Sequence, residues 1–402
     1  MKILQINKFY HLKGGSERYL FELSDILEKN GHTVIPFAMR DSQNIPSKYE
    51  AYFPEAVDLD RFSLKNIFKI FHNWDAVRQL ERLISQERPD VAHLHNIAYQ
   101  LTPAIIQVLK KHHIPVVQTL HDYKLICPNY QLFNDGKICH HCQGGKYYRC
   151  VLGKCVKKSF AKSLLAALEA YFNKAKNNLV DVFVAPSRYM QKTCVAFGIP
   201  KTKIKQLVYP IDLKKFRNSN GAKEEKNTLL YFGRLSKEKG LDTLIEAMAL
   251  VSNEISLQIV GDGPEKESLM KLVEKNNLSA RVKFSGAKSG EDLLGAISEA
   301  KAVVIPSVWP ENMPLSLLES MVMGKVVLVA NAGGMPERIN NGENGFIFQS
   351  GNIQDLALKI EELKNYDLSQ IGKKARESAE EFSSEWHYEK IMEIYRNLTK
   401  EC

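Results

Sequence analysis

No uncharged apolar run in this chain approaches the ~18 residues that span a bilayer. A membrane-spanning protein is not expected. Met1-Lys2-Ile3-Leu4-Gln5-Ile6 reads as a first strand, where a secretory leader would show a longer apolar core, so a cytoplasmic protein, at most touching the inner face of the cell membrane, is the expectation. There is no internal sequence repeat; the two halves repeat only in architecture. Gly14-Gly15 lack the G-x-G-x-x-G spacing of a dinucleotide fold. Aromatics make up 9% and form no stacking array near the cysteines, which argues against a nucleic-acid module. Acids are scarce in one half only: residues 1–210 hold 30 Lys+Arg against 17 Asp+Glu, net +13, and 211–402 hold 25 against 29, net −4, which sum to +9. The basic half suits an anionic membrane surface, a lipid-linked phosphate or nucleic acid.

What is present is a globular composition. With 402 residues and 44% apolar content, about two domains with real cores are expected, at roughly 150 residues each. Short apolar runs alternate with helical patterns throughout, which predicts an α/β chain of two doubly wound, Rossmann-like domains facing a cleft. The first domain is expected over 1–210 with a cysteine-rich insert at 127–155. A polar linker follows over 211–225, then a second domain over 226–383. A helix over 384–402, carrying Trp386, Tyr388, Ile391, Ile394 and Tyr395, should cross back onto the first domain.

The densest chemistry lies between Ala302 and Val327. Val303-Val304-Ile305 predicts a buried strand bounded by Pro306 and Ser307. Pro314 suits a first helical position, with Asn312 as its cap and Gly324 as the stop. Glu319 then sits in a helix otherwise apolar or small, where a buried carboxylate needs a partner. Glu311 and Glu319 flank the helix start, where orphan N–H groups favour an anion, so a phosphorylated, polyhydroxylated ligand would satisfy both. A solvated Glu319 and a solubility-serving Glu311 fit this stretch equally well. Arg234 and Lys239 lie five positions apart in Gly233-Arg234-Leu235-Ser236-Lys237-Glu238-Lys239-Gly240, after a predicted strand. Such a loop can grip a diphosphate through a planar fork and a mobile point charge, or hold two surface ion pairs. Gly14-Gly15 before a first helix, and Gly261-Asp262-Gly263-Pro264 after another strand, are places where backbone can approach a phosphate.

In the first half, Pro89–His95 and Pro115–Asp122 each read as a strand delivering polar residues at its C-terminal end, where ligands bind in open α/β sheets. His121 is the candidate there. Five of the seven cysteines fall within 29 residues: Cys139, Cys142, Cys150 and Cys155, with Cys127 upstream as an alternative fourth ligand. In a cytoplasmic protein this cluster suggests structural Zn²⁺ rather than disulfides. The stretch from Lys157 to Lys176 spaces Leu164, Leu165, Leu168, Tyr171 and Phe172 helically among lysines. It could rest on a membrane or turn its apolar side inward. Leu64–Phe71 offers the same choice. Asp58-Leu59-Asp60 would pass a D-x-D search for metal-dependent sugar transferases but has no supporting context.

Taken in order, GG-x-E-R at Gly14–Arg18, G-R-L-x-x-x-K-G at 233–240, G-x-G-P at 261–264 and E-x7-E from Glu311 to Glu319 resemble the motifs of retaining family-4 glycosyltransferases of the GT-B fold. The resemblance covers nearly the whole chain. It departs at Asn312-Met313-Pro314, where the family usually has Gly-Phe-Gly after the first Glu. It implies a nucleotide diphosphate sugar donor of UDP or GDP type, a hydroxyl acceptor such as a lipid-linked saccharide of surface-polysaccharide biosynthesis, and no metal cofactor for catalysis. Arg234 and Lys239 would neutralise the leaving diphosphate, facing Gly14-Gly15 and Gly263. Glu311 with Asn312, Met313, Pro314 and Leu315 would hold the sugar, Glu319 the ribose, and His121 a sugar hydroxyl. A nucleotide-sugar epimerase shares the architecture, and a zinc-dependent nucleic-acid-binding module is the alternative of another class.

Overall fold

The computed structural model describes residues 1–58, 64–217 and 226–400. Two compact units emerge. The first comprises Met1–Asn134, Cys139–Pro210 and Glu385–Cys402; the second comprises Asp135–Ile138 and Ile211–Ser384. Leu59 and Asp60 of the D-x-D match, and 218–225 of the expected linker, lie outside the described residues.

The first unit is built on a parallel sheet of β1 (Lys2–Ile6), β2 (Thr33–Phe37), β3 (Val91–Leu94), β4 (Val116–Thr119), β5 (Val182–Ala185) and β6 (Ile204–Gln206). Its order is β2-β1-β3-β4-β5-β6. Leu4, Ile6, Ala92, Leu94 and Val116 are solvent-free, as expected of strands covered on both faces. Pro36 is tolerated because β2 is an edge strand. The helices used below are α1 (Gly15–Lys29), α2 (Leu64–Phe71), α3 (Tyr148–Leu152) and α4 (Phe160–Asn177).

The second unit has β7 (Lys226–Phe232), β8 (Ser256–Val260), β9 (Val282–Phe284), β10 (Ala300–Ile305), β11 (Val326–Ala330) and β12 (Phe346–Phe348), all parallel, in the order β9-β8-β7-β10-β11-β12. Counted within the unit, that is the 3-2-1-4-5-6 order of a dinucleotide-binding sheet, whose chain reverses direction between β7 and β10. Helices α5 (Leu241–Met248) and α6 (Leu315–Val322) follow β7 and β10. The segment expected to be linker enters this unit early: Ile211 bridges Ser383, and Leu213–Arg217 is helical with Phe216 buried.

The terminal helix α7 (Ser384–Lys400) groups with the first unit from Glu385 onward. Its buried side is His387, Ile391, Met392 and Tyr395. Trp386 is exposed, so the buried stripe is set one position along from an all-apolar reading. A histidine occupies the core because hydrogen bonds replace its lost water.

Candidate functional site

In the second unit, the loops after β7 and β10 lie on either side of the strand-order reversal, where open α/β sheets bind ligands. Lys239 Nζ reaches Glu311 Oε1 at 2.5 Å, and Ser307 Oγ donates to the same oxygen at 2.6 Å. Glu311 is 5% exposed, so its charge depends on these two donors. Backbone holds the loops in register: Val308 N donates to the Glu238 carbonyl at 3.0 Å, and Ser236 Oγ donates to Glu238 Oε1 at 2.7 Å. Lys239 Nζ also stands 5.4 Å from the centre of the Trp309 ring, whose buried indole N–H meets no acceptor among the described residues.

Two glycines make these approaches possible. A Cβ on Gly240 (φ 66°) would come within 2.2 Å of the Pro306 carbonyl, and one on Gly333 (φ 66°) within 2.1 Å of the Glu311 carbonyl. Gly334 N donates to that same Glu311 carbonyl at 2.7 Å. Gly263 lies against the backbone of Leu235 and tethers its loop to the Arg234 loop. Arg234 itself is exposed. Its carbonyl accepts a 2.8 Å bond from the Tyr231 hydroxyl, whose pKa is raised by burial and then by Glu311 and Glu238. Tyr231 was not singled out from sequence. A tyrosine in the last-but-one position of a buried strand, two residues before a glycine turn, is the only signal there.

Glu319 lies on the buried side of α6 and is 2% exposed. Two local expectations change. Pro314 is the N-cap residue (φ −70°, ψ 133°), so α6 begins at Leu315, and no side chain caps it. Asn312, buried two residues earlier, is therefore not the cap; proline's ring disfavours helical geometry in the residue before it. Met313 is buried and Leu315 half-buried. Gly324 (φ 67°) follows the helix end, as expected.

In the first unit, Gly14 caps α1, and the anion at this N-terminus is the chain's own. Glu17, 3% exposed in the first turn, accepts from Asn7 Nδ2 and Ser16 Oγ, each at 3.0 Å. Beyond it a buried polar chain crosses the ends of β1, β3 and β4. His387 Nδ1 faces the Val208 carbonyl at 2.8 Å and must carry the proton, so Nε2 accepts from the Tyr19 hydroxyl at 3.1 Å. Thr119 then donates to Tyr19 at 3.5 Å, His93 Nε2–H to Thr119 at 2.7 Å, and Tyr395 to His93 Nδ1 at 2.5 Å. Alongside, His95 Nε2–H meets Gln5 Oε1 at 2.7 Å, leaving His95 Nδ1 to accept from His121 Nε2 at 3.0 Å. His121 Nδ1 accepts from Tyr209 at 3.1 Å, so both its ring nitrogens are engaged. Burial lowers His121 to about 3 and His387 to about 4, and holds His93 and His95 well below their usual range. All four are neutral at physiological pH.

A pocket opens beside this chain, lined by Lys8, Asn96, His121, Asp122, Lys124 and Glu169. Lys124 pairs with Glu169 at 2.6 Å and with the Tyr99 hydroxyl at 2.8 Å. Burial opposes its charge, but these contacts outweigh it and raise its pKa. Glu169 was not picked from sequence, where it reads as one acid in a lysine-rich helix.

The cysteines come together only in part. Cys142 and Cys150 pack with Tyr147, Val151 and Ala167, and the Cys150 and Cys155 thiols share a hydrogen bond. Burial, then neighbouring thiols, pushes Cys142 up to about 12; burial pushes Cys127 up to about 11. Among the described residues, no group of three or more His, Cys, Asp or Glu is arranged to hold a metal ion. Cys139 is half-exposed.

Comparison with known proteins places both units. Residues 13–215 match the model of Glycosyltransferase Family 4, and 212–382 that of Glycosyl transferases group 1. The chain is a family-4 glycosyltransferase. This transferase is 26% identical to the putative glycosyltransferase EpsD of Bacillus subtilis over 375 residues, 91% of this chain and 87% of that one. It shares its fold with sucrose-phosphate synthase of Thermosynechococcus elongatus (TM-score 0.76, 19% identity, 100% of both chains). HepE of Anabaena, solved with UDP and glucose, is also similar (TM-score 0.70, 19% identity, 99% and 100% covered). The fold is thus GT-B, with two Rossmann-like units. No helix among the described residues is long and apolar enough to cross a membrane.

Proposed function

We propose that this transferase moves a hexose from a nucleotide diphosphate sugar to a hydroxyl acceptor, retaining the anomeric configuration, in the building of a cell-surface polysaccharide at the inner membrane face. The observation that carries this is the Lys239–Glu311–Ser307 cluster beside the Arg234 loop, at the strand-order reversal of the second unit. HepE's complexes with UDP and UDP-glucose support a nucleotide-sugar donor; we take it to be of UDP or GDP type. Arg234 and Lys239 stabilise the oxygens of the departing diphosphate, so no divalent cation is needed for that charge. Glu311, its backbone held by Gly333 and Gly334, binds sugar hydroxyls; Glu319 binds those of the ribose. Asn312, Met313, Pro314 and Leu315 shape the loop around the sugar. Gly14 and Gly15 offer backbone N–H groups to phosphate.

The anomeric carbon–phosphate oxygen bond breaks as the acceptor oxygen bonds to the same face. The acceptor's proton passes to the leaving phosphate. His121, being neutral, acts as a hydrogen-bonding group and exchanges its Tyr209 contact for a sugar hydroxyl. The pocket lined by Lys8, Asn96, Lys124 and Glu169 takes the acceptor, a lipid-linked saccharide. For the insert, Cys139, Cys142, Cys150 and Cys155, with Cys127 as alternate, suit structural Zn²⁺ by donor chemistry alone. They would have to draw closer to bind it. Metal analysis of the purified protein should then find about one zinc per chain; none would remove the proposal.

The test of function is acceptor-dependent release of nucleoside diphosphate from a panel of UDP and GDP sugars, with the product's anomer read by NMR. Release without acceptor, with the nucleotide sugar changed at one stereocentre, would favour an epimerase. An inverted product would end the retaining mechanism.

A further inference from the structure

Helix α4 is turned inside out relative to an ordinary surface helix. Its buried side is small and polar, consisting of Ser163, Ala166, Ala167, Glu169 and Asn173. Its outward side carries Phe160, Leu164, Leu168, Tyr171 and Phe172, and the two largest values are 58% exposure for Phe160 and 52% for Phe172. These residues recur at three- and four-residue spacing and form one stripe. Neighbouring helices extend the stripe. α3 packs on α4 through Tyr147 against Tyr171 and adds Leu152, 75% exposed. α2 packs on α4 through Phe71 against Phe172, ring centres 5.6 Å apart, and adds exposed Phe68. A contiguous apolar surface of this kind on a soluble domain marks an interaction site.

Charge says what covers it. Between Cys139 and Val180 the chain has eight Lys and Arg and one acid, Glu169, which is buried and paired with Lys124. Lys157, Lys158, Lys162 and Lys174 are exposed around the stripe, and Lys176 lies 3.8 Å over the Phe172 ring. A second copy of this face would set lysines against lysines. A bilayer bearing anionic headgroups satisfies both features: acyl chains take the stripe and phosphates take the lysine rim.

We infer that the outward face of α4, with α2 and α3 beside it, docks this protein onto an anionic membrane surface. The inference deepens the proposed lipid-linked acceptor, because Glu169 on the opposite side of the same helix lines the acceptor pocket. It is tested without substrate, so its failure is distinguishable from failure of the transferase reading.

The experiment is co-sedimentation of the full chain with vesicles of phosphatidylcholine mixed with phosphatidylglycerol, against vesicles of phosphatidylcholine alone. Mixed vesicles should bind at least ~10-fold tighter, the difference shrinking with added salt. Lys157→Gln, Lys158→Gln and Lys162→Gln together should weaken binding by on the order of a hundredfold, about fivefold per lysine. Leu164→Ser, Leu168→Ser and Phe172→Ser together should weaken it ~10-fold or more. Helical circular dichroism confirms that each variant is folded. Wild-type protein that ignores mixed vesicles, or a serine variant that binds them fully, overturns the inference. So does a dimer in sedimentation equilibrium that the serine variant dissolves.

Discussion

The two units solve opposite problems, each around a six-stranded parallel sheet. All eleven histidines and the six cysteines Cys127–Cys194 lie in the first, where four buried histidines are neutral and joined in a hydrogen-bonded chain beside one buried ion pair, Lys124 with Glu169. The second has no histidine, and its site is a contact between full charges, Lys239 with Glu311. Neutral networks can be sealed in a core, because each donor finds an acceptor and nothing ionises. A buried carboxylate with a half-open lysine is costly to leave unpaired, and so is poised to exchange partners with a charged ligand. The proposed donor grip falls to the second unit, whose charges an incoming diphosphate can rearrange.

The sharpest way to break this contrast is at the charge pair. Lys239→Met leaves Glu311 buried with only Ser307, and should lower kcat/KM by about 10²–10³-fold, the scale for losing one preorganised donor. Initial rates with the best sugar nucleotide read it. Lys239→Arg should not restore full activity, because the guanidinium fork cannot occupy the point-charge position near Trp309. Equal rates for both variants and wild type would make the pair structural.

Next in size is a backbone effect. Gly333→Ala adds a methyl 2.1 Å from the Glu311 carbonyl at positive φ. It should cost ~1–3 kcal/mol of stability by thermal unfolding, with a rise in KM for donor. Gly342→Ala, also at positive φ but with open space around its Cβ, should cost about 1 kcal/mol or less and leave KM alone.

A third test addresses the neutral chain. The buried histidines protonate more readily unfolded, near 6.5, than folded, at about 3 for His121 and 4 for His387. Between those limits the unfolded state binds more protons, so stability of the first unit is lost as pH falls below about 6.5. In proton NMR their imidazole signals should stay in the neutral position down to pH ~5. Titration near pH 6.5 would show that the chain is wet. Between pH 6.5 and about 5.5, above the carboxylate range, the second unit, lacking histidine, should show little stability change.

Much of this contrast was readable from sequence, for identifiable reasons. A glycine turn after an apolar run located the loop at 233–240, because positive φ and close approach leave a residue-type signature, and Pro306 and Pro314 bracketed the stretch that carries Glu311. Strand alternation gave the α/β class, because buried parallel strands are continuous apolar runs. The histidine chain was legible only at His93, His95 and His121, on adjacent strands. Tyr19, Tyr209, His387 and Tyr395 come from three distant segments, and no local pattern links a residue to a partner 368 positions away, as Tyr19 is to His387. The lysine-rich helix was ambiguous for a related reason. Helical spacing shows that one face is apolar but not which way that face points.

The most direct measurement is isothermal calorimetry of UDP and GDP with the wild type, Arg234→Ala and Glu319→Ala. The account predicts that one nucleotide binds, and that each substitution weakens it by ~1–3 kcal/mol, the range for a lost charge-assisted hydrogen bond. Unchanged affinity in both variants would contradict the claim that the second unit's charges hold the donor.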